Sequence, residues 1–433
     1  MTTSIIFWFR RDLRIDDNAG LFHALKQGVP VIPLFIFDTE ILEKLSDKSD
    51  RRVLFIYQAL EQLRKDLQQY GSDLLVRIGK PAAVWQTLID EFSPVSVYTN
   101  HDYEPYARKR DHAVGLLLSE KNIPFFTCKD QVIFEKSEVT KDDGKPYTVF
   151  TPYKNKWRSK LTDFYLRSYP VKKYIAGLHH FAANDFPSIE AIGFQRTSFE
   201  FPGANVSDEL IRQYAQQRDI PSLPATSKLG LHLRFGTVSV RRLVQHAFSL
   251  SETWVNELVW REFFMQILWH FPKVTQESFR EGYDRISWRN NEKEFRLWCE
   301  GKTGYPLVDA GMRELNATGF MHNRVRMVAA SFLVKHLLID WRWGEAYFAE
   351  KLLDFDLSAN NGNWQWAAGT GTDAAPYFRI FNPSEQLKKF DPKLAYVKKW
   401  VPEFGTPAYA QPLVDHVFAR ERCLKAYKAA LGK

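Results

Sequence analysis

Cysteine is scarce in this chain. Cys128, Cys299 and Cys423 are scattered, odd in number and without CxxC spacing, which argues against a disulfide framework or a zinc site and fits a reducing cytoplasm. Long apolar runs are also missing. No stretch approaches ~18 uninterrupted apolar residues, so no membrane-spanning helix is expected. The amino terminus lacks a basic n-region, a long apolar h-region and a cleavage site, so no signal peptide is expected either. No GxGxxG follows the first strand-like run, which removes the main support for a nicotinamide dehydrogenase. His101, His232, His322 and the other histidines show no metal-ligand spacing, and neither HExxH nor a nucleophile elbow occurs. Metal and hydrolytic chemistry are therefore not expected.

What is present is an aromatic, moderately basic, globular chain. Its 433 residues suffice for two domains with real cores. Hydrophobic content of 45% and charged content of 25% are those of a soluble protein. The net charge of +8 permits nucleic-acid binding without requiring it. Ten of the thirteen tryptophans fall between 254 and 400, so the chemistry is expected in the second half.

The first ~130 residues alternate in the βα manner of a doubly wound parallel sheet. Strand-like runs lie at Ser4–Phe9, Val31–Phe37, Asp73–Ile78, Val95–Thr99 and Pro124–Thr127, with helix-like runs between them. From Gln131 to about Gly203 the periodicity breaks down into a long connector. From Asp208 a 3.6-residue period dominates, with runs at 208–217, 238–249, 253–270, 305–315, 320–339, 344–355 and 413–430. The expected organisation is a Rossmann-like α/β domain over 1–130, a connector over 131–203, and an all-helical domain over 204–433.

The stretch from Asn316 to Pro383 carries unusual chemistry. Asn323 and Met327 share one helical face, with Arg324 and Arg326 between them. Asp354 and Asp356 lead into an Asn-Asn-Gly turn, then Trp364 and Trp366. Amides, guanidinium groups and carboxylates are costly to bury unpaired, so their interleaving with indoles points to a pocket for a large flat heterocycle. Thr226 and Ser227 precede an apolar helical start, and read locally as an N-cap or as an anion site. Glu257 and Trp260 face the same way on one helix. Glu257 is either a surface residue or a partly buried, protonated carboxyl. Arg218, Arg324 and Arg379 lack acidic i±4 partners and are candidates for phosphate contacts. A bound organic cofactor with a chain of aromatics points to redox chemistry.

The motifs FWFRRDLRIDDNAGL, TSKLGLHLRFGTVSVR, NELVWREFF, EGKTGYPLVDAGMRELNATGFMHNRVRMVAASFLVKHLLIDW and DLSANNGNWQWAAGTGTDAAPYFRIFNP resemble the photolyase/cryptochrome family over essentially the whole chain. Within it the chain is most similar to class I cyclobutane pyrimidine dimer photolyases. The resemblance implies FAD in the helical domain. It places Tyr214, Thr226, Ser227, Leu229, Arg261 and Arg326 on the phosphates, and Asp354 and Asp356 on the ribityl and adenosine side. Asn360 is implied against flavin N5. A lesion pocket of Glu257, Trp260, Asn323, Met327 and Trp366 is implied, with Trp364, Trp341 and Trp288 as the photoreduction chain.

The subfamily reading rests on Asn323, where (6-4) photolyases carry a second His, and on Met327, where other cryptochrome groups carry Gln or an apolar residue. The chain also stops soon after its last helix, without the tail typical of cryptochromes. Gly230 stands where the family often has Ser, and Phe264-Met265-Gln266 replaces Tyr-Arg-His. Ala107 stands where folate-binding members place Glu. Asp102 with Glu104-Pro105 is more similar to the deazaflavin-binding pattern. A second antenna chromophore is therefore expected, of the 8-hydroxy-5-deazaflavin or methenyltetrahydrofolate type. The implied activity is light-driven splitting of cyclobutane dimers in UV-damaged DNA by a cytoplasmic monomer without metal. A photosensory cryptochrome on the same fold is the rival reading.

Overall fold

The computed structural model describes residues 3–181 and 184–432. Two compact units are each built from interleaved stretches of chain. The first comprises Met1–Glu135, Lys160–Asn205 and Lys228–Phe248, and the second comprises Lys136–Ser159, Val206–Ser227 and Ser249–Lys433. The sequence suggested three consecutive parts instead. The presumed connector is split, because Phe150–Lys160 forms a helix whose apolar residues Phe150, Tyr153 and Trp157 are buried. Tyr153 and Phe150 pack on Phe263 of the second unit.

The first unit holds a five-stranded parallel sheet of β1 (Ile5–Phe9), β2 (Val31–Asp38), β3 (Leu75–Gly79), β4 (Ser96–Asn100) and β5 (Phe125–Cys128), in the order β3-β2-β1-β4-β5. Alternate residues of β1 feed opposite cores. Ile5, Phe7 and Phe9 pack with the Arg51–Gln68 helix, whereas Ile6 and Trp8 pack with the Pro81–Phe92 and Pro105–Glu120 helices. With both faces covered, the central strands read as continuous apolar runs, which is why they were legible. Strand order reverses between β1 and β4, the place where ligands meet the carboxyl ends of an open α/β sheet.

The second unit is helical. Its core gathers Trp298, Phe332, Trp341, Phe348 and Trp364 with the aliphatic residues of the Pro306–Thr318 and Asn323–Ser331 helices. The long periodic run expected over 320–339 is interrupted. An α-helix over Asn323–Ser331 widens into a π-helical turn at Phe332–His336. No helix among the described residues is long and apolar enough to cross a membrane.

Candidate active site

An open cleft lies in the second unit. Asn323, Arg326 and Met327 line it from the Asn323–Ser331 helix. Asp354 and Asp356 line it from the segment after the Trp341–Lys351 helix, and Asn360, Trp364 and Trp366 from the Leu357–Ala368 helix. Eight residues singled out in the sequence thus meet around one space.

The Asn-Asn-Gly segment is not a turn. It lies inside the Leu357–Ala368 helix, which Asp356 caps through Oδ1, accepting from the backbone N–H of Ser358 (3.1 Å) and Ala359 (3.3 Å). A Cβ on Gly362 would overlap the Phe264 ring, so this glycine lets the helix sit tightly against the Glu252–His270 helix. Tertiary packing here overrides the turn preference of Asn and Gly. Both amide protons of Asn360 go to Glu345: Nδ2 donates to its backbone carbonyl at 3.1 Å and to Oε1 at 2.9 Å. Oδ1 of Asn360 is left as the polar atom for a ligand in the cleft. Burial pushes the Glu345 carboxyl up, with the Asn360 hydrogen bond opposing it.

Arg326 donates from Nη2 to both oxygens of Asp354 (3.1 and 2.9 Å) and from Nε to the Met321 carbonyl (2.7 Å). This arginine, which the resemblance places on a phosphate, lines the cleft as one half of an ion pair. Thr226 and Ser227 do not cap a helix either. The next helix begins at Gly230 with Leu229 in the cap position, in helical conformation and without a side-chain capping bond.

Glu257 and Trp260 stand on the Glu252–His270 helix with Arg261, and neither Glu257 nor Trp260 is among the residues lining the cleft. One face of Trp260 is taken. Phe150 stacks on it with ring centroids 3.5 Å apart and planes 6° apart, and Phe264 lies tilted by 26° against the indole at 5.5 Å. Glu257 is paired with Arg218, whose guanidinium also lies 5.4 Å from the Tyr214 ring. Burial raises the Glu257 carboxyl, outweighing Arg218, and also raises the Tyr214 phenol. Arg324 pairs with Asp219 at 2.8 Å. Two of the three arginines thought unpaired therefore hold carboxylates, through contacts that no i±4 inspection could find. Arg379 is exposed and makes no ion pair among the described residues.

Trp364 and Trp341 are buried and Trp288 is partly buried. The Trp364 ring meets Phe348 (4.9 Å) and Trp298 (6.1 Å) edge-on, and Trp288 meets Tyr427 at 6.1 Å. Gly344 makes room for Trp364, because a Cβ there would overlap the indole. The Trp364 indole N–H has no partner among the described residues although the ring lines the cleft. Sequence reasoning missed Phe150, Asp219 and Glu345. Each acts through a partner far away in sequence, and no local pattern marked any of them.

In the first unit the crevice at the strand switch point is heavily charged. Arg11 Nη1 donates to Asp102 (3.3 Å) and Glu104 (3.0 Å), Arg10 pairs with Asp111, and Arg234 pairs with Glu104. Burial alone would raise the Asp102 carboxyl, but Arg11 and Arg10 outweigh it and hold it below the usual range.

Two family descriptions match this chain: "DNA photolyase" over residues 5–173 and "FAD binding domain of DNA photolyase" over residues 254–408. A deoxyribodipyrimidine photo-lyase of Synechococcus sp. is 35% identical, the alignment covering 100% of this chain and 99% of that protein. The chain belongs to the DNA photolyase family. The crystal structure of a class III photolyase from Agrobacterium tumefaciens superposes on this photolyase with a TM-score of 0.88 and 33% identity, covering 100% of this chain and 98% of that one. An archaeal photolyase from Sulfolobus tokodaii, crystallised with two FAD molecules, gives a TM-score of 0.82 and 34% identity over 99% of this chain and 100% of its own. The helical unit of this photolyase contains the matched FAD-binding region, and the cleft with its three kinds of wall fits a flavin: indoles for stacking, an amide oxygen, and the Arg326–Asp354 pair. No cluster of three or more metal-ligating side chains occurs among the described residues.

Proposed function

We propose that this photolyase binds UV-damaged DNA, takes a cyclobutane pyrimidine dimer out of the stack and splits it with light. The observation that carries this reading is the joint position of Asn323, Met327 and Trp366 on one cleft that also bears Asn360 and the Arg326–Asp354 pair. When bound, FAD supplies an electron that light raises to a level at which the dimer can accept it, and regains it after the ring opens.

The chain's own residues do the rest. Trp366 and the part of Trp260 that Phe150 and Phe264 leave uncovered offer stacking surface, worth roughly 1–3 kcal/mol per base. Asn323, exposed at the start of its helix, presents an amide to the pyrimidine edge. Glu257 in protonated form donates a hydrogen bond to a pyrimidine carbonyl, where negative charge arrives during the reaction. Asn360 fixes the cofactor ring through Oδ1, its nitrogen being held by Glu345. Arg379, Arg218 and, while still paired with Asp219, Arg324 reach the strand's phosphates, and Tyr214, Thr226, Ser227, Leu229, Arg261 and Asp356 hold the cofactor. Trp364, Trp341 and Trp288 restore the reduced cofactor. The first unit carries an antenna chromophore in the crevice of Arg11, Asp102 and Glu104. Extrusion of the dimer is required because chemistry on a base needs it outside the stack, and a dimer is already poorly stacked.

The test is illumination of the reduced protein with DNA carrying either cyclobutane or (6-4) lesions, scoring restored thymine separately. Repair is expected for the cyclobutane lesion alone. Repair of neither would favour a photosensory role.

A further inference from the structure

The dipeptide Arg218-Asp219 follows the Asp208–Gln217 helix and braces two others. Arg218 binds Glu257 on the Glu252–His270 helix, and Asp219 binds Arg324 at the start of the Asn323–Ser331 helix. The four charges sum to zero. They sit at a rim, since the side chains of Arg218 and Glu257 keep 29% and 36% of their surface exposed. The two braced helices carry Glu257, Trp260, Asn323 and Met327.

We infer that DNA binding draws Arg218 from Glu257 to a phosphate of the damaged strand, and that Glu257 then takes up a proton from solvent to become the hydrogen-bond donor described above. The reasoning is electrostatic. A phosphate entering a neutral cluster leaves it with one excess negative charge. The least costly way to remove that charge is to protonate the carboxyl that is already worst solvated. Asp219 keeps Arg324, so Glu257 is the carboxylate deprived of its cation. Of the other groups near Glu257, Asp219 favours protonation, and the Tyr214 phenol on the adjacent helix, raised by burial and by Glu257, stays neutral. Arg261 lies one turn further along the same helix. Burial already holds the Glu257 carboxyl above its ordinary value with Arg218 in contact, and removal of Arg218 moves it further in the same direction. Arg218 therefore acts as a placeholder that keeps Glu257 charged and soluble until a strand arrives. The proton balance is simple: one proton leaves solvent and forms the carboxyl O–H.

This inference rests on the repair reading, and its test separates the two. The FAD-loaded protein is titrated with a cyclobutane-dimer oligonucleotide by calorimetry, in two buffers of different ionisation enthalpy at each of several pH values from 6.5 to 8.5. Undamaged oligonucleotide serves as control. Uptake of up to about one proton per dimer site is expected, so log K falls with pH with a slope approaching about −1. In Glu257→Gln, which keeps shape and hydrogen bonding but cannot titrate, that uptake and slope should vanish while dimer binding persists. Arg218→Gln should bind more weakly yet with reduced uptake, because loss of its cation moves Glu257 towards the protonated form before DNA arrives. Equal uptake in the parent and Glu257→Gln proteins, with dimer preference intact, overturns the inference and leaves the repair reading standing. Absence of dimer preference in the parent protein overturns both.

Discussion

Glu257 shows how much a single residue's meaning depends on its neighbours. Its position one turn before Trp260 marks it for the lesion pocket, and its apolar helical neighbours suggest a protonated carboxyl; nothing local announces Arg218. Glu257→Ala is expected to retain FAD and its absorption spectrum, to bind dimers modestly less well, and to repair fewer of them per absorbed photon. Unchanged quantum yield would make Glu257 a structural residue. The tryptophans call for a different separation. Truncating a buried Trp costs about 3–5 kcal/mol whatever its role, whereas Phe largely keeps the packing and is much harder to oxidise. Trp288→Phe should fold, bind FAD and photoreduce slowly. Its repair should be normal once the cofactor is reduced chemically. Normal photoreduction in that variant would route the electron elsewhere, and the ring neighbours seen here, Trp298 and Tyr427, are the places to look.

At the scale of elements, close helix packing and buried imidazoles are the features with measurable consequences. Gly362→Ala puts a methyl into the Phe264 ring across the junction of the Glu252–His270 and Leu357–Ala368 helices. Overpacking of that kind costs typically about 1–3 kcal/mol, and because the second helix carries Asn360 and Trp366, FAD retention should fall with the thermal midpoint. The π-helical turn at Phe332–His336 buries His336, whose Nε2 lies 2.8 Å from Nδ1 of His416. Burial lowers His336 to about 3, and lowers His322 to about 4. An unfolded histidine titrates near 6.5. Between those values the unfolded chain binds more protons, so stability should rise with pH from about 4 to 6.5 and be lost as pH falls. Each group contributes a slope of at most about 1.4 kcal/mol per pH unit. Urea midpoints at pH 5, 6 and 7 read this, and His336→Asn should flatten the profile. An identical profile in the variant would assign the acid sensitivity to other groups.

For the whole molecule, charge is the relevant quantity. A net charge of +8 favours DNA, but the pairing of Arg218 and Arg324 means that less free cation faces the strand than a count of arginines suggests. Arg379, exposed and unpaired among the described residues, should make the simplest phosphate contact. Arg379→Ala is expected to weaken binding about equally for any dimer-containing sequence and to reduce the salt slope by about one unit. Arg324→Ala should do more, because it also leaves the Asp219 carboxylate without its cation. Equal salt slopes for parent and Arg379→Ala proteins would remove Arg379 from the DNA face.

The sequence by itself determined the parallel sheet, the helical second part, the family and most of the cleft. Strands buried on both faces and amphipathic helices write their periods into the chain, and Asn323, Met327, Asn360, Trp364 and Trp366 lie close enough in sequence to be seen as one pattern. Tertiary structure alone decided the pairings. Arg218 with Glu257, Arg324 with Asp219, Asn360 with Glu345 and Phe150 on Trp260 each join residues well separated along the chain, so no local window contains both partners. It also decided that Asn-Asn-Gly is helix, because the space against Phe264 outweighs a turn preference, and that the presumed connector is shared between the two units, because its buried aromatics belong to the second unit's core.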